Sequence, residues 1–281
     1  MRARIWGCRG SLATPGADTV RYGGNTSCLE VRGDGDSLLI LDAGTGIRPL
    51  GVGLLDKCPV QVHVLLTHLH IDHIEGFGFF GPVWTAGHDI HVWGPPSPLR
   101  TLRSRLAGYL SPPLFPVHLS DAPATLTFHD VPDEPWEIGG ILIDAQPIEH
   151  PGATVGFRLE HDGWSLAYLP DHEPALGLDL ALVETDWISG IGLASGADVL
   201  VHDAQWFDDE YPAKIGWGHS SVSDAVTFAH AAGAGRLVLW HHDPRHSDDQ
   251  LEQLADQAVE LWQNGGPPPA LAREGEEIGV V

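Results

Sequence analysis

Long apolar runs are missing from this 281-residue sequence. A membrane-spanning helix needs about 20 predominantly apolar residues, and no window of the chain approaches that length. The first residues, MRARIWGCRGSLATPG, include arginines but no apolar segment long enough for a secretory signal. These absences argue against a membrane protein and against export, so we expect a cytoplasmic protein without a membrane partner.

Cysteine is scarce as well, with three residues at Cys8, Cys28 and Cys58. The count is odd, and no pair has the CxxC spacing of many metal and redox sites. A disulfide framework is therefore not expected, and a reducing compartment is the simpler interpretation. None of the three lies in the histidine-rich segment described below, which argues against thiolate ligation there.

Basic residues are few. Fifteen lysines and arginines stand against 38 aspartates and glutamates, which gives a formal net charge of −23. Binding to the phosphate backbone of a long nucleic acid depends on basic side chains that release counterions. The charge balance is a weak argument against such a partner, because acidity often serves only solubility. The hydrophobic fraction of 43% is typical of a globular protein with a substantial core.

Short strand-like runs occur along the whole chain, with helical patterns between some of them. A helix is predicted after Ser221, with Asp224 completing a capping box and Gly233 at the C-terminal end. A second helix is predicted after Ser247. The strand-like runs are ARIWG, SCLEV, SLLILD, VHVLL, DIHVWG, GILIDAQ, TVGFRLE, WSLAYLP, DVLVHDA and RLVLW.

Strands mixed with helices throughout predict an α/β fold in which layered sheets are covered by helices. The proline-rich segments GPPSP and GGPPP are too short to serve as interdomain linkers. We therefore expect residues 1–281 to form a single domain built of two similar α/β halves, with two separate domains as the alternative.

The segment VHVLLTHLHIDHIEGF, residues 62–77, ends a strand-like run with three histidines and an aspartate in six positions. Alternation along a strand would place His68 and His70 on one side, where both could hold one ion. Asp72 and His73 come later, where a turn can aim them at a second position. Neutral imidazole and carboxylate suit zinc, and also manganese or iron. The segment predicts a metal site rather than a polar loop with unrelated histidines.

THLHIDH resembles the HxHxDH signature of the metallo-β-lactamase fold, an αββα four-layer sandwich with metals at one sheet edge. The segments EHPG, LPDHE and RLVLWHHDP match the rest of that pattern in order. The resemblance implies two divalent ions, with zinc as the expected metal and manganese or iron as alternatives. It assigns His68, His70 and His150 to one ion, Asp72, His73 and His241 to the other, and Asp171 to both.

Two of these positions have a neighbouring histidine. His241 is preferred over His242 because the family places the ligand two residues after a leucine, here Leu239. His172, beside Asp171, is expected to support the site without binding an ion, or to face solvent.

The segment WGHSSVSDA, residues 217–225, resembles the GHST-type motif of ribonuclease Z and related phosphodiesterases. In that group the histidine is not a ligand but helps to protonate the leaving oxygen, which implies this role for His219. DVLVHDAQ resembles the segment that carries its acidic partner, here Asp203, although glutamate is commoner there. The resemblance also implies a catalytic role for Asp72. The alternatives are a helix-start residue for His219 and a strand-end turn residue for Asp203.

The opening segments CRGS, RYGGNTSC and LDAGTGIR resemble a bacterial subfamily of the same branch. Gly23 and Gly24 suit a tight turn near the metals, and Asn25 could reach them. Asp42 resembles a buried aspartate that supports the ligand loop. A turn or a cap is the alternative role for Asn25 and Asp42.

Two departures from ribonuclease Z bear on the substrate. That family commonly carries a long arm that grips transfer RNA, between the counterparts of His150 and Asp171. Here these residues are 21 positions apart, too close to hold such an arm. Together with the acidic balance, this predicts that a long nucleic acid is an unlikely partner. A small, possibly cyclic, phosphodiester is the expected substrate.

Four aromatic residues flank Asp203 and His219 in the sequence. They could form an apolar wall that stacks on a base or another flat group, with ordinary packing as the alternative. They are Trp206, Phe207, Tyr211 and Trp217.

The sequence thus predicts a dinuclear metal-dependent phosphodiesterase. Three alternatives stay open: a lactone or thioester hydrolase on the same metals, a single-strand nuclease, and a non-catalytic metal-binding protein. A homodimer is a further option, because dimers are common among the relatives that the resemblance implies.

Overall fold

The computed structural model describes residues 1–33, 37–56, 61–262 and 265–279. Cys8 and Cys28 are buried free thiols, whereas Cys58 lies outside the described residues. No helix in the described ranges has the length and apolar character needed to cross a membrane.

Fourteen strands occur in these ranges. They are β1 (Arg2–Gly7), β2 (Cys28–Arg32), β3 (Leu38–Leu41), β4 (Gln61–Leu65), β5 (Asp89–Gly94), β6 (Thr125–Asp130), β7 (Trp136–Ile138), β8 (Ile141–Pro147), β9 (Val155–His161), β10 (Trp164–Leu169), β11 (Val199–Asp203), β12 (Leu237–Trp240), β13 (Ala270–Leu271) and β14 (Glu277–Ile278).

The described ranges also contain six α-helices and several short 3₁₀ turns. The helices are α1 (Ile47–Val52), α2 (Ile71–Ile74), α3 (Leu102–Tyr109), α4 (Ile191–Ala194), α5 (Val222–Ala232) and α6 (Asp248–Leu261). The two longest begin where the sequence predicted. Ser221 caps α5 by accepting the N–H of Asp224 at 3.1 Å, and Ser247 caps α6 in a capping box with Gln250. Gly233 ends α5 in the left-handed conformation.

The strands form two seven-stranded sheets. The first has the order β14-β1-β2-β3-β4-β5-β6 and the second has the order β13-β12-β11-β10-β9-β8-β7. Most of the first sheet comes from the N-terminal part of the chain, but β14 returns to it from the C-terminal end. The prediction of one domain with two similar halves stays a prediction.

Successive side chains of a strand point to opposite faces of its sheet, and both faces are covered by apolar packing. In β3, Leu39 and Leu41 share a core with Phe157 of the second sheet, while Leu38 and Ile40 pack under α1 and α3. On the outer face of the second sheet, residues of β11 and β12 pack against α5 and α6. The layers are therefore helix, sheet, sheet and helix, and the predicted αββα sandwich is confirmed.

All ten strand-like runs of the sequence form strands, whereas β6, β7, β13 and β14 were not predicted. These four are the edge strands of the two sheets. An edge strand is paired on one side only, and its sequence needs less apolar alternation than a central strand. The side chains of β6 are mostly part-exposed. Its neighbour in the sheet, not its own sequence pattern, therefore determines its conformation.

Parallel pairing determines where the candidate ligands lie. Strands β3, β4 and β5 run parallel to one another, and so do β10, β11 and β12. The carboxyl ends of parallel strands lie at one sheet edge, so the loops that follow them meet there. His68, Asp171 and His241 follow β4, β10 and β12 within three residues.

Candidate metal centre and acid pair

Three histidines form the first ligand group. One nitrogen each of His68, His70 and His150 lies within 4.8 Å of the others, and His150 Nε2 is 3.1 Å from His70 Nδ1. The His150 ring is fixed from its other side, where Nδ1–H donates to the Gly218 carbonyl at 2.7 Å. This hydrogen bond leaves Nε2 of His150 free to act as a ligand.

Two carboxylates and two histidines form the second group, and all four side chains are buried. His241 Nε2 lies 3.2 Å from Asp72 Oδ2 and 3.2 Å from Asp171 Oδ2. His73 Nε2 lies 3.0 Å from Asp171 Oδ1. Imidazole nitrogens and carboxylate oxygens of this group therefore lie 3.0–3.2 Å from one another.

Asp171 contacts both groups. Its Oδ2 lies 3.8 Å from His68 Nε2 and 3.8 Å from His150 Nε2, while Oδ1 faces His73. A carboxylate between two groups is the arrangement that a shared ligand of two ions requires. The structure thus brings together all seven residues that the sequence predicted as ligands, and their binding of metal stays a prediction.

The donor set fits divalent cations. His68 Nε2 is buried and has no hydrogen-bond partner within the described ranges, and Asp171 Oδ1 meets His73 Nε2 at 3.0 Å without hydrogen-bond geometry. Buried lone pairs of this kind are costly unless a cation or a proton satisfies them. Imidazole and carboxylate are ligands that zinc, manganese and iron accept.

The electrostatics of the two groups differ. Burial opposes ionisation of Asp171, but His241 and His73 outweigh it and hold the pKa of the Asp171 carboxyl well below its usual value. Burial also opposes protonation of His241, yet Asp171 and Asp72 raise the pKa of His241 to about 9. In the first group burial dominates and lowers the pKa of His150 to about 4. Without ions, the second group therefore holds protons where cations would bind.

Asp42 supports the second group from behind. It is fully buried, and its backbone is in the left-handed region with φ of 61°. The Asp42 carboxylate accepts three hydrogen bonds. They come from His73 Nδ1–H at 2.8 Å, from the N–H of Thr67 at 2.8 Å and from the Tyr168 hydroxyl at 3.1 Å. These bonds orient His73 so that Nε2 faces Asp171. The predicted support of the ligand loop is therefore present.

His219 and Asp203 are in direct contact. His219 Nδ1–H donates to Asp203 Oδ2 at 2.6 Å, because an ionised carboxylate can only accept. Asp203 Oδ1 accepts the backbone N–H groups of Ser220 at 3.1 Å and Gln205 at 3.0 Å. The fully buried carboxylate is held by three donors, so it fixes the orientation of the imidazole.

The His219 ring lies against both ligand groups. It stacks on His241, with ring centroids 4.7 Å apart and planes 15° from parallel. One of its nitrogens lies within 4.8 Å of ligand atoms of His150 and Asp171. A proton donor to a leaving oxygen requires such a place beside the metal groups. The catalytic roles of His219, Asp203 and Asp72 stay predictions.

The two rival histidines point elsewhere. His242 Nε2–H donates to the Ala272 carbonyl at 2.9 Å, and burial is the main cause that lowers its pKa to about 3. His172 is buried and its Nδ1 lies 2.9 Å from His202 Nε2. Neither side chain belongs to the two groups of candidate ligands.

Asn25 does not reach the metal groups. Its side-chain amide and its backbone N–H both donate to Glu274, at 2.9 and 2.5 Å. Gly23 has φ of 100°, and a Cβ there would lie 2.1 Å from a Glu274 carboxylate atom. The turn interpretation therefore holds, and the turn binds a carboxylate from the C-terminal part of the chain.

One important residue was missed in the sequence. Glu173, within the LPDHE segment, is fully buried without a cationic partner in the described ranges. It accepts the N–H groups of Gly216 at 2.8 Å and Gly218 at 2.7 Å, and the Tyr211 hydroxyl at 3.0 Å. Because Gly218 also accepts from His150, Glu173 holds a loop that contacts the first ligand group and leads directly to His219.

Two of the four aromatic residues predicted to form an apolar wall lie beside His219. Trp206 and Trp217 line a cavity of about 330 Å³ together with His219. Phe207 packs against the outer core of the second sheet, and Tyr211 binds Glu173. Two of the four aromatic residues therefore adjoin the acid pair, and the other two support the fold.

The four-layer sandwich and the seven convergent side chains at its edge define a metallo-β-lactamase-fold hydrolase. Residues 39–242 match the family model described as a beta-lactamase superfamily domain. The chain belongs to this family and to its ribonuclease Z-like branch. It is 32% identical over 246 residues to a ribonuclease Z of Mycobacterium marinum, covering 79% of this chain and 82% of that protein.

Solved structures agree on the fold. Human tRNase Z, short form, superimposes with a TM-score of 0.66 at 20% identity over 100% of this chain and 100% of that one. A diphosphatase from the PhnP family superimposes with a TM-score of 0.69 at 18% identity over 100% of this chain and 98% of that one.

The prediction that a long nucleic acid is an unlikely partner is wrong. It rested on the net charge of −23 and on the short distance in sequence between His150 and Asp171. The relatives that match most of the chain are named ribonucleases. The net charge of a whole chain does not determine the field inside a cleft, where bound divalent ions are the largest local charges.

Proposed function

We propose that this protein is a dinuclear metal-dependent phosphodiesterase in which His219, paired with Asp203, protonates the leaving oxygen. The observation that carries the proposal is the position of one acid pair against two ligand groups joined by Asp171. Lactone and thioester hydrolases of this fold resemble one another in needing the metals but not the GHSS histidine, and a thioester expels a thiolate, which leaves without a proton.

The seven ligand residues would hold two ions, for which zinc is proposed first and manganese or iron second. Two bound ions supply an activated water and positive charge that offsets the charge developing on phosphoryl oxygens. The chain itself sets the orientation of the ligands. Asp42 fixes His73 and the Gly218 carbonyl fixes His150.

The proton is supplied by the chain. Because Nδ1–H of His219 is bound to Asp203, Nε2 is the nitrogen that can exchange a proton with a bound substrate. The Asp203 carboxylate holds the ring in one orientation, and the imidazolium is the form that donates. We assign Nε2 of His219 as the donor to the leaving alkoxide.

The proposed substrate is a small phosphodiester, linear or cyclic, with an alkoxide leaving group. The cavity of about 330 Å³ beside His219 has the size of a small ligand site. The end of an RNA chain is the second candidate, favoured by the relatives named ribonuclease Z.

A substrate panel tests the proposal. Metal-free protein is loaded with zinc or with manganese and assayed on an aryl phosphodiester, a cyclic nucleotide, a dinucleotide, an RNA oligomer, a lactone and a thioester. We expect turnover of phosphodiesters only. Turnover restricted to the lactone or thioester would favour the other hydrolase, and no turnover with both ions bound would favour a binding protein.

A further inference from the structure

Lysine is almost absent from this chain, which makes the position of Lys214 informative. The sequence has two lysines, Lys57 and Lys214, and Lys57 lies outside the described residues. The Lys214 ammonium lies 3.9 Å from the ring centre of Trp217 and 5.0 Å from that of Trp206. A cation in these positions is held by the faces of the two indoles. It lines the same cavity as His219.

A second cation lies at this cavity, and its charge is compensated. The Arg245 guanidinium carbon lies 5.5 Å from the Trp206 ring centre. Arg245 forms a two-contact ion pair with Asp243, with Nε–Oδ1 at 2.9 Å and Nη2–Oδ2 at 3.1 Å. Lys214 has no carboxylate partner within the described ranges. The cavity therefore keeps one uncompensated positive charge, in a chain with a net charge of −23.

The position of His219 indicates which part of a substrate occupies this cavity. A general acid must reach the leaving oxygen, so the space beside it holds the leaving group. The indole rings of Trp206 and Trp217 lie 6.4 Å apart at 84°, and Trp217 is 57% exposed. An exposed indole next to a cation offers a stacking surface for a flat ring and a charge for an anion.

We propose that the cavity formed by Trp206, Lys214, Trp217 and Arg245 is a leaving-group subsite for a nucleotide unit. The base would lie on Trp217, and Lys214 would bind a second phosphate, next to the one that is cleaved. Arg245, held by Asp243, forms another part of the cavity wall. The proposal rests on the proposed function, because it uses His219 to define the leaving-group side.

Matched dinucleotides test the role of the second phosphate. The substrates are adenylyl-adenosine without a terminal phosphate, with a 5′ phosphate and with a 3′ phosphate, which covers both directions of cleavage. We expect kcat/KM for one phosphorylated form to exceed that of the plain form by about tenfold, or about 1.4 kcal/mol. Lys214→Ala should reduce this ratio to about one, and Lys214→Arg should retain most of it.

Arg2→Ala is the matched control, because it removes one exposed positive charge at the start of β1, the end of that strand opposite to the site. In this variant, the ratio of kcat/KM for the phosphorylated dinucleotide to that for the plain one should equal the ratio in the unaltered protein. Equal kcat/KM values for all three dinucleotides, or a ratio that survives Lys214→Ala, would overturn the subsite. If the metal-loaded protein cleaves no phosphodiester at all, the proposed function fails instead.

A binding measurement tests the subsite without catalysis. Adenosine, 3′-AMP and 5′-AMP are titrated into the metal-free protein while tryptophan fluorescence is recorded. At least one nucleotide should bind about tenfold more tightly than adenosine, Lys214→Ala should remove the difference, and Trp217→Phe should remove most of the fluorescence change. Equal dissociation constants for the three ligands would contradict the proposal whatever the catalytic result.

Discussion

The Nδ1–H group of His219 donates a hydrogen bond of 2.6 Å to Oδ2 of Asp203. The other carboxylate oxygen accepts two backbone N–H groups, so Asp203 cannot turn without losing them. The pair therefore has one available orientation, in which the second nitrogen of His219 is free. A held imidazole with a charged partner is the arrangement of an efficient proton donor.

Removing the imidazole should separate substrates by their leaving groups. In His219→Ala, hydrolysis of an alkyl phosphodiester should fall by about 10²-fold or more, whereas an aryl phosphodiester should be affected far less. The reason is that an aryl oxide leaves without a proton. Metal content, measured by elemental analysis, should not change. Equal losses on both substrates, or loss of metal, would refute the acid role.

Removing only the charge of Asp203 should give a smaller effect of the same kind. Asp203→Asn keeps the size of the side chain but loses the carboxylate charge that faces the His219 ring. We expect turnover of the alkyl diester to fall by about 10–100-fold, with a small change for the aryl diester. Steady-state kinetics on both substrates measure it. Unchanged alkyl turnover would mean that Asp203 serves only the fold.

The sequence was most informative where local patterns carry the structure. HxHxDH places four polar side chains in six positions, and the loop that forms them follows directly from the strand before it. Central strands were predicted because they alternate or are continuously apolar, whereas edge strands depend on their neighbours. Asp42 was predicted by its place in a motif, although no local pattern shows that it would meet Tyr168, 126 positions away.

Long-range contacts account for what was missed. Nothing in the sequence near Glu173 indicates that its carboxylate binds the loop at Gly216 and Gly218. Gly10 is similar: a Cβ there would lie 2.4 Å from the His241 ring, so the glycine makes room for a candidate ligand 231 positions later. The sequence left open whether Asn25 reaches the metals or forms a turn for the same reason, since its partner Glu274 lies near the other end of the chain.

The neighbouring residues His241 and His242 provide a matched test of the ligand assignment. His241→Ala should reduce the metal content by one ion per chain, because it removes a ligand of the second group. His242→Gln should retain both ions, because glutamine can still donate to the Ala272 carbonyl. Elemental analysis after dialysis measures both. Loss of an ion in His242→Gln but not in His241→Ala would mean that His242, and not His241, is the ligand.

Glu173 should affect catalysis through the loop that it holds. In Glu173→Gln, one acceptor of the Gly216–Gly218 loop becomes a donor, so the loop loses a bond and both His150 and His219 lose support. We expect turnover of aryl and alkyl diesters to fall together, by about tenfold. Glu149→Gln is the control, because Glu149 is exposed. A loss confined to the alkyl diester would show that the loop serves His219 alone.

The metal-free protein should lose stability as the pH rises from about 6.5 to about 9. Burial opposes protonation of His241, but Asp171 and Asp72 raise its pKa to about 9 in the folded chain, above its ordinary value. Through His241 alone, the folded state therefore binds up to one proton more than the unfolded state in this window. The stabilisation is complete below the ordinary pKa and is lost at up to about 1.4 kcal/mol per pH unit above it.

Urea unfolding in the presence of a chelator measures this slope. His241→Gln should flatten it, although His73, whose pKa Asp171 and Asp42 raise against the effect of burial, contributes in the same direction. Bound cations should reverse the trend, since deprotonated imidazoles bind metal more tightly as the pH rises. A metal-free protein whose stability increases between pH 6.5 and 9 would contradict the charge arrangement described for the second ligand group.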